Sequence, residues 1–141
     1  MKEILVKIKG HQVSQDAGED SMEFITEAKL YERGGALYLI YEESEVSGIP
    51  GCRTRLKLKG DQVQMKRLGT GAGIGNEIRF EKGKRYKGFY DTPFGAIEME
   101  VLTNQLENTL SAEGDGQLDI DYSISLKGLV EGRNRLNITL M

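Results

Sequence analysis

Apolar and polar residues alternate along most of this chain with a period of two. The last forty residues show it best. Leu118, Ile120, Tyr122, Ile124 and Leu126 alternate with Asp119, Asp121, Ser123, Ser125 and Lys127. After Gly128 to Gly132, Leu136, Ile138 and Leu140 alternate with Arg135, Asn137 and Thr139. Side chains of a strand point to opposite faces in turn, so each run reads as a strand with one buried face. The same pattern runs through Ile4, Val6 and Ile8, with Leu5 as the exception, and through Met22, Phe24, Thr26, Ala28 and Leu30. It returns in Tyr90–Thr103, where the turn signal Asp91-Thr92-Pro93 precedes Ile97, Met99, Val101 and Thr103 on one side and Ala96, Glu98 and Glu100 on the other.

Turn residues punctuate these runs. Gly34-Gly35 predicts a hairpin between the Met22 strand and a long strand from Ala36 to Val46. Gly48-Ile-Pro-Gly51, Gly60-Asp61 and Lys82-Gly83 mark further turns, and Gly10 suggests a bulge. The spacing of Leu102, Leu106 and Leu110 also suits a helix, so residues 98–111 are ambiguous; two strands with a turn near Glu107-Asn108 fit the neighbouring pattern better. The count comes to about eight to ten short strands, the spacing of a sandwich or barrel. Short connections favour an antiparallel meander, and a meander of this many strands hides its edges by closing on itself. The expected fold is therefore all-β, a closed antiparallel barrel in one domain over residues 1–141. An eight-stranded barrel is wide enough to be filled by side chains or to hold one small ligand.

Composition narrows the function. With 141 residues a real core forms without covalent staples. Eighteen glycines against two prolines suit many tight turns. The net charge of −3, from 19 basic and 22 acidic residues, gives no global attraction to nucleic acid or an anionic membrane. No run approaches the length of a membrane span, and the N-terminal residues lack the apolar stretch of a signal peptide, so a cytosolic location is the default expectation. Cys52 is the only cysteine, which excludes an internal disulfide.

One combination of motifs resembles the YwiB-like family, small bacterial proteins of uncharacterised function. The residues are Tyr41-Glu42-Glu43, Ser47-Gly48 with Gly51, Arg53-Thr54-Arg55-Leu56-Lys57, Thr92-Pro93-Phe94-Gly95, and Tyr122 in its long alternating strand. The family's fold is similar to the calycins, the barrels of lipocalins and fatty-acid-binding proteins. The resemblance implies a calycin-like closed barrel. It implies no ligand and supplies no catalytic residues, because a fold does not fix a function.

Candidate chemistry is sparse. Arg53, Arg55, Lys57 and Lys59 share one face of a strand, and the strand before it ends in Glu42, Glu43 and Glu45. Cross-strand pairing on a solvated face accounts for these charges; a ligand site at the barrel mouth is the sharper alternative, with Arg53 or Arg55 binding a carboxylate or phosphate and Glu43 or Glu45 orienting it. Together with Tyr41 and Tyr122 these six residues form the candidate ligand set. The loop Gly69–Gly75 has the spacing of neither a dinucleotide fingerprint nor a phosphate loop. Lys82, Lys84, Arg85 and Lys87 mix with Tyr86, Phe89 and Tyr90, but the tyrosines fit a core face, which argues against single-strand nucleic-acid binding. One histidine, His11, and one cysteine, Cys52, argue against a metal site; no local signature supports a Cys-His nucleophile pair, and no cofactor and no catalytic residues are assigned. The leading expectation is a barrel that binds a small, partly apolar molecule; the alternatives are a filled barrel that binds a protein partner, and an enzyme acting at the mouth.

Overall fold

The computed structural model describes residues 1–14, 18–42, 53–68, 77–92, 95–127 and 130–141, with side chains for all of these except 90–92 and 130. It contains ten strands: β1 (Lys2–Ser14), β2 (Gly18–Arg33), β3 (Ala36–Glu42), β4 (Arg53–Lys59), β5 (Gln62–Leu68), β6 (Glu77–Glu81), β7 (Arg85–Thr92), β8 (Gly95–Asn108), β9 (Gln117–Leu126) and β10 (Val130–Leu140). All belong to one antiparallel sheet of order β6-β5-β4-β3-β2-β1-β10-β9-β8-β7. Every strand but one pair follows its sequence neighbour. The exception is the pairing of β1 with β10, from Val6 opposite Leu140 to Ser14 opposite Gly132, which joins the two ends of the meander.

The barrel is nearly closed. Its seam falls between β6 and β7, which share no ladder among the described residues. Backbone contacts bridge part of it: Gly83 N donates to Thr103 O at 2.8 Å and Thr103 N donates to Lys84 O at 3.2 Å. A ring contact adds to them. Phe80 of β6 lies against Tyr122 of β9, ring centroids 4.8 Å apart and tilted by 57°.

The inward face follows the sequence alternation. Val6 and Ile8, Phe24, Ala28 and Leu30, Leu39 and Tyr41, Leu56 and Leu58, Val63 and Met65, Phe80, Met99 and Val101, Leu118 and Ile120, and Ile138 and Leu140 form one core. Fully burying one such aliphatic or aromatic side chain contributes about 1.5–3 kcal/mol, so this face outweighs any surface contact in holding the barrel. The Gly34-Gly35 hairpin forms as expected, with φ of +61° and +80°. Both central residues take positive φ, which glycine adopts without strain and which matches the twist of the flanking strands.

Two local expectations are corrected. No bulge occurs at Gly10, because both ladders of β1 run through it without a shift, opposite Met22 on one side and Leu136 on the other. Glycine stands there for space: a Cβ would lie 3.0 Å from Met22 Cε. The ambiguous stretch 98–111 holds a single strand that ends at Asn108, and the next strand begins only at Gln117. A bulge does occur in it. Thr103 pairs with Tyr122 and Gln105 with Asp121, so Asn104 is an extra residue. Before the bulge Met99, Val101 and Thr103 point inward; after it Leu106 and Leu110 pack on the core. The phase jump made a strand look partly helical.

The expected turn Gly48–Gly51, the end of the expected strand Ala36–Val46, Cys52 and the loop Gly69–Gly75 lie outside the described residues.

Candidate functional site

At one end of the lumen the aliphatic lining gives way to polar residues. β5 shows the change within one strand. Val63 and Met65 are core residues, and the next inward position is Arg67. Tyr122 of β9 and Asn134 of β10 occupy facing positions in the β9–β10 ladder. Tyr41 ends the inward row of β3 and is 3% exposed. Together with Met22 from β2 these residues line a cavity of about 210 Å³.

The electrostatics of this cavity are unusual for a lumen. The Nε of Arg67 is buried and has no hydrogen-bond partner among the described residues. A buried donor ordinarily finds an acceptor, since protein interiors leave few polar groups unpaired. Burial pushes the Tyr122 phenol above its ordinary value, while the Arg67 charge and a hydrogen bond with the Asn134 side chain act in the opposite direction. Tyr122 therefore remains a neutral hydroxyl at physiological pH, able to donate as well as accept. Arg67, Tyr122 and Asn134 thus present donors from three strands to one space, beside the apolar surfaces of Met22 and Met65.

The residues singled out from the sequence divide between this site and the outside. Tyr41 and Tyr122 line the cavity. Arg53 and Arg55 do not, because Thr54, Leu56 and Leu58 take the inward positions of β4 and are 0%, 0% and 3% exposed. The basic stripe therefore faces outward. Arg53 Nε stands 4.0 Å from the Glu42 carboxylate, both exposed, and Lys57 lies over the ring of Tyr38, which stacks on Tyr31. Arg53 borders an outer groove of about 500 Å³ that passes Leu5, Ile40 and Met141. Glu43 and Glu45 lie outside the described residues. Arg67 was not among the candidates. The signal for it was an arginine continuing the inward row Val63, Met65, at a position where the alternation alone calls for an apolar residue.

A second polar cluster sits on the outer face of β9 and β10. Arg133 donates from Nε to Asp121 Oδ1 at 2.9 Å and from Nη2 to Oδ2 at 2.8 Å. Asn104, the bulge residue, lies 3.4 Å from the same carboxylate and 3.2 Å from Ser123 Oγ. The bidentate guanidinium, with Asn104 in support, holds the Asp121 carboxyl below its ordinary value against the opposing effect of burial. Its donors and acceptors are matched to one another, so it reads as a staple between strands. His11 Nδ1 lies 2.6 Å from Ser21 Oγ, and both residues border the cavity at its rim. No group of three or more metal-ligating side chains occurs among the described residues.

Comparison with known proteins gives the fold and the family. The crystal structure of the ywiB protein from Bacillus subtilis is similar, with a TM-score of 0.74 over 99% of this chain and 93% of that one, at 21% sequence identity. No curated protein matches the chain. The model of a domain of unknown function, DUF1934, matches residues 6–138, nearly the whole barrel from β1 to β10. The chain belongs to the DUF1934 family, in keeping with its resemblance to YwiB-like proteins.

Proposed function

We propose that the chain is a calycin-like binding barrel that takes a small, partly apolar molecule into the polar end of its lumen. The observation that carries this reading is the convergence of Arg67, Tyr122 and Asn134 on one cavity at the end of a largely apolar core. Polar side chains are retained in a barrel interior at a cost in stability, and a bound molecule that uses them offsets it. The space of about 210 Å³ is below the range of roughly 300–1,000 Å³ typical of sites for drug-sized ligands. The occupant is therefore smaller than a lipid or a tetrapyrrole. An apolar cavity of about 150 Å³ holds benzene, which sets the scale at one ring or a short branched chain.

Native mass spectrometry of freshly purified protein, compared with the same sample after denaturing extraction, tests this reading. A small added mass that disappears on denaturation is the expected result. A bare chain whose melting temperature is also unmoved by a library of one-ring fragments would overturn it.

A second reading rests on the outer face. Leu5, Ile25 and Met141 are 47%, 55% and 60% exposed. Leu5 and Met141 border the groove of about 500 Å³ described above. Clustered apolar exposure of this kind also marks protein contacts. Charged and polar substitutions at Leu5 and Ile25 separate the two readings, because they leave the lumen untouched.

A further inference from the structure

We infer that the lumenal occupant is a small monocarboxylate whose oxygens are bound by the Arg67 guanidinium. This rests on the binding-barrel reading and specifies its chemistry. The starting point is the Arg67 Nε, which has no partner among the described residues. Nε–H and one terminal N–H of a guanidinium form a fork that matches the two oxygens of a carboxylate, and Asp121 is held by Arg133 through that same pair of atoms on the outer face. Arg67 has the same fork, and among the described residues its Nε meets no carboxylate.

Charge selects the number of negative charges. A single guanidinium, that of Arg67, reaches the cavity from an inward row; Arg135 borders it from the outward row of β10, where it faces the Asp121 carboxylate. One inward guanidinium suits a single negative charge and disfavours a phosphate dianion, which would remain undercompensated in a confined site. The neutral groups fit the same ligand. Tyr122 and Asn134 donate to carboxylate lone pairs that the guanidinium leaves uncovered. Met22 and Met65 supply polarizable apolar surface for the rest of the molecule, and thioethers adapt to ring or branched-chain shapes. Gly10 keeps Met22 in place: its missing side chain is the space that Met22 occupies, with Cε only 3.0 Å from where a Cβ would stand. The ligand class is thus a monocarboxylate with one ring or a short branched chain, of which benzoate and 3-methylbutanoate are representatives.

The test titrates benzoate, 3-methylbutanoate and the neutral isostere benzamide into the wild-type chain, Arg67→Met and Arg67→Lys, by calorimetry and by the methyl resonances of Met22 and Met65. In the wild type, benzoate should bind at least about tenfold more tightly than benzamide, the ratio expected when one charged hydrogen-bonded pair is lost. Arg67→Met should weaken both carboxylates by about tenfold or more and leave benzamide nearly unchanged, while Arg67→Lys, which keeps the charge but not the fork, should fall between. Unaltered methyl shifts of Met99, a core residue outside the cavity, verify that each variant folds. Equal binding of benzoate and benzamide, unaffected by Arg67→Met, would overturn the carboxylate inference and leave the lumenal site standing. No shift of Met22 or Met65 with any probe at millimolar concentration would overturn both.

Discussion

Replacing Arg67 by methionine should make the ligand-free protein more stable. Arg67 places a donor nitrogen in the barrel interior without an acceptor among the described residues. An unpaired buried donor costs about 1–3 kcal/mol. The rest of the side chain is only partly buried, which puts the expected relief near the lower end of that range. Methionine has similar reach, no donor and enough flexibility to fill the space beside Met65, so cavity formation should cancel little of the gain. The net expectation is about 1 kcal/mol of stabilisation, or roughly 3–5 °C in melting temperature for a chain of this size. The assay is urea denaturation of ligand-free wild type and variant, with a higher midpoint and an unchanged slope as the expected result. Arg67→Ala is a poorer probe because it opens a void. A variant less stable by about 1 kcal/mol or more would refute the reasoning, since it would mean that the guanidinium is paired within the protein and is structural. A gain in stability combined with a loss of binding is the pattern of a residue kept for function.

Three further outcomes follow from the geometry. Asp121 has a folded-state pKa below its ordinary value, so its contribution is fully present above the ordinary aspartate pKa and is lost as pH falls through the lowered value; Asp121→Asn should remove about 1 kcal/mol at neutral pH and flatten the acid limb of a urea-midpoint profile, and parallel profiles would contradict the staple. The inward phase of β1 predicts that Ile8→Ala costs about 2–5 kcal/mol while Leu5→Ser stays within about 0.5 kcal/mol, and equal costs would mean that the faces are misassigned. Gly116 has φ of +100° and a Cβ there would fall 2.0 Å from the Thr109 carbonyl oxygen, so Gly116→Ala should cost about 3 kcal/mol or more and show in a thermal melt as a shift of roughly ten degrees.

Most of the barrel was legible because its core uses one device throughout. A strand with alternate residues buried tends to repeat an apolar residue every second position; β9 does so without a break, and β1, β2 and β10 do so through most of their length, with Leu5 the exception in β1. What was not legible is non-local or out of phase. The β1–β10 pairing joins residues from opposite ends of the chain, and no local pattern encodes which strands meet. The extra residue Asn104 shifts the inward set of β8 from odd to even positions, and a pattern search reads that shift as helix. Gly10 looked like an irregularity, although it is a packing partner for Met22.

The site was half legible for a related reason. Tyr41 and Tyr122 were chosen because aromatic residues with a polar tip fall on inward rows, and both line the cavity. Arg53 and Arg55 drew attention through charge density, yet their alternate neighbours Thr54 and Leu56 are fully buried and send them outward. Arg67 shows the converse. It stands alone as a charge on an inward row, and the same alternation that locates the core makes it conspicuous once the row is followed one step further. An isolated charge on a buried row marks the cavity, whereas the dense stripe of charge marks an exposed face.

The five methionines offer the most direct measurement of lumenal binding. Met22 and Met65 line the cavity, Met99 lies in the core, and Met1 and Met141 are 78% and 60% exposed on the outside. In a methyl-labelled sample titrated with benzoate, binding in the lumen predicts saturable shifts at Met22 and Met65, with Met1 and Met141 unmoved. Shifts at Met141 alone would place binding in the outer groove and contradict the claim that the polar end of the lumen is the site.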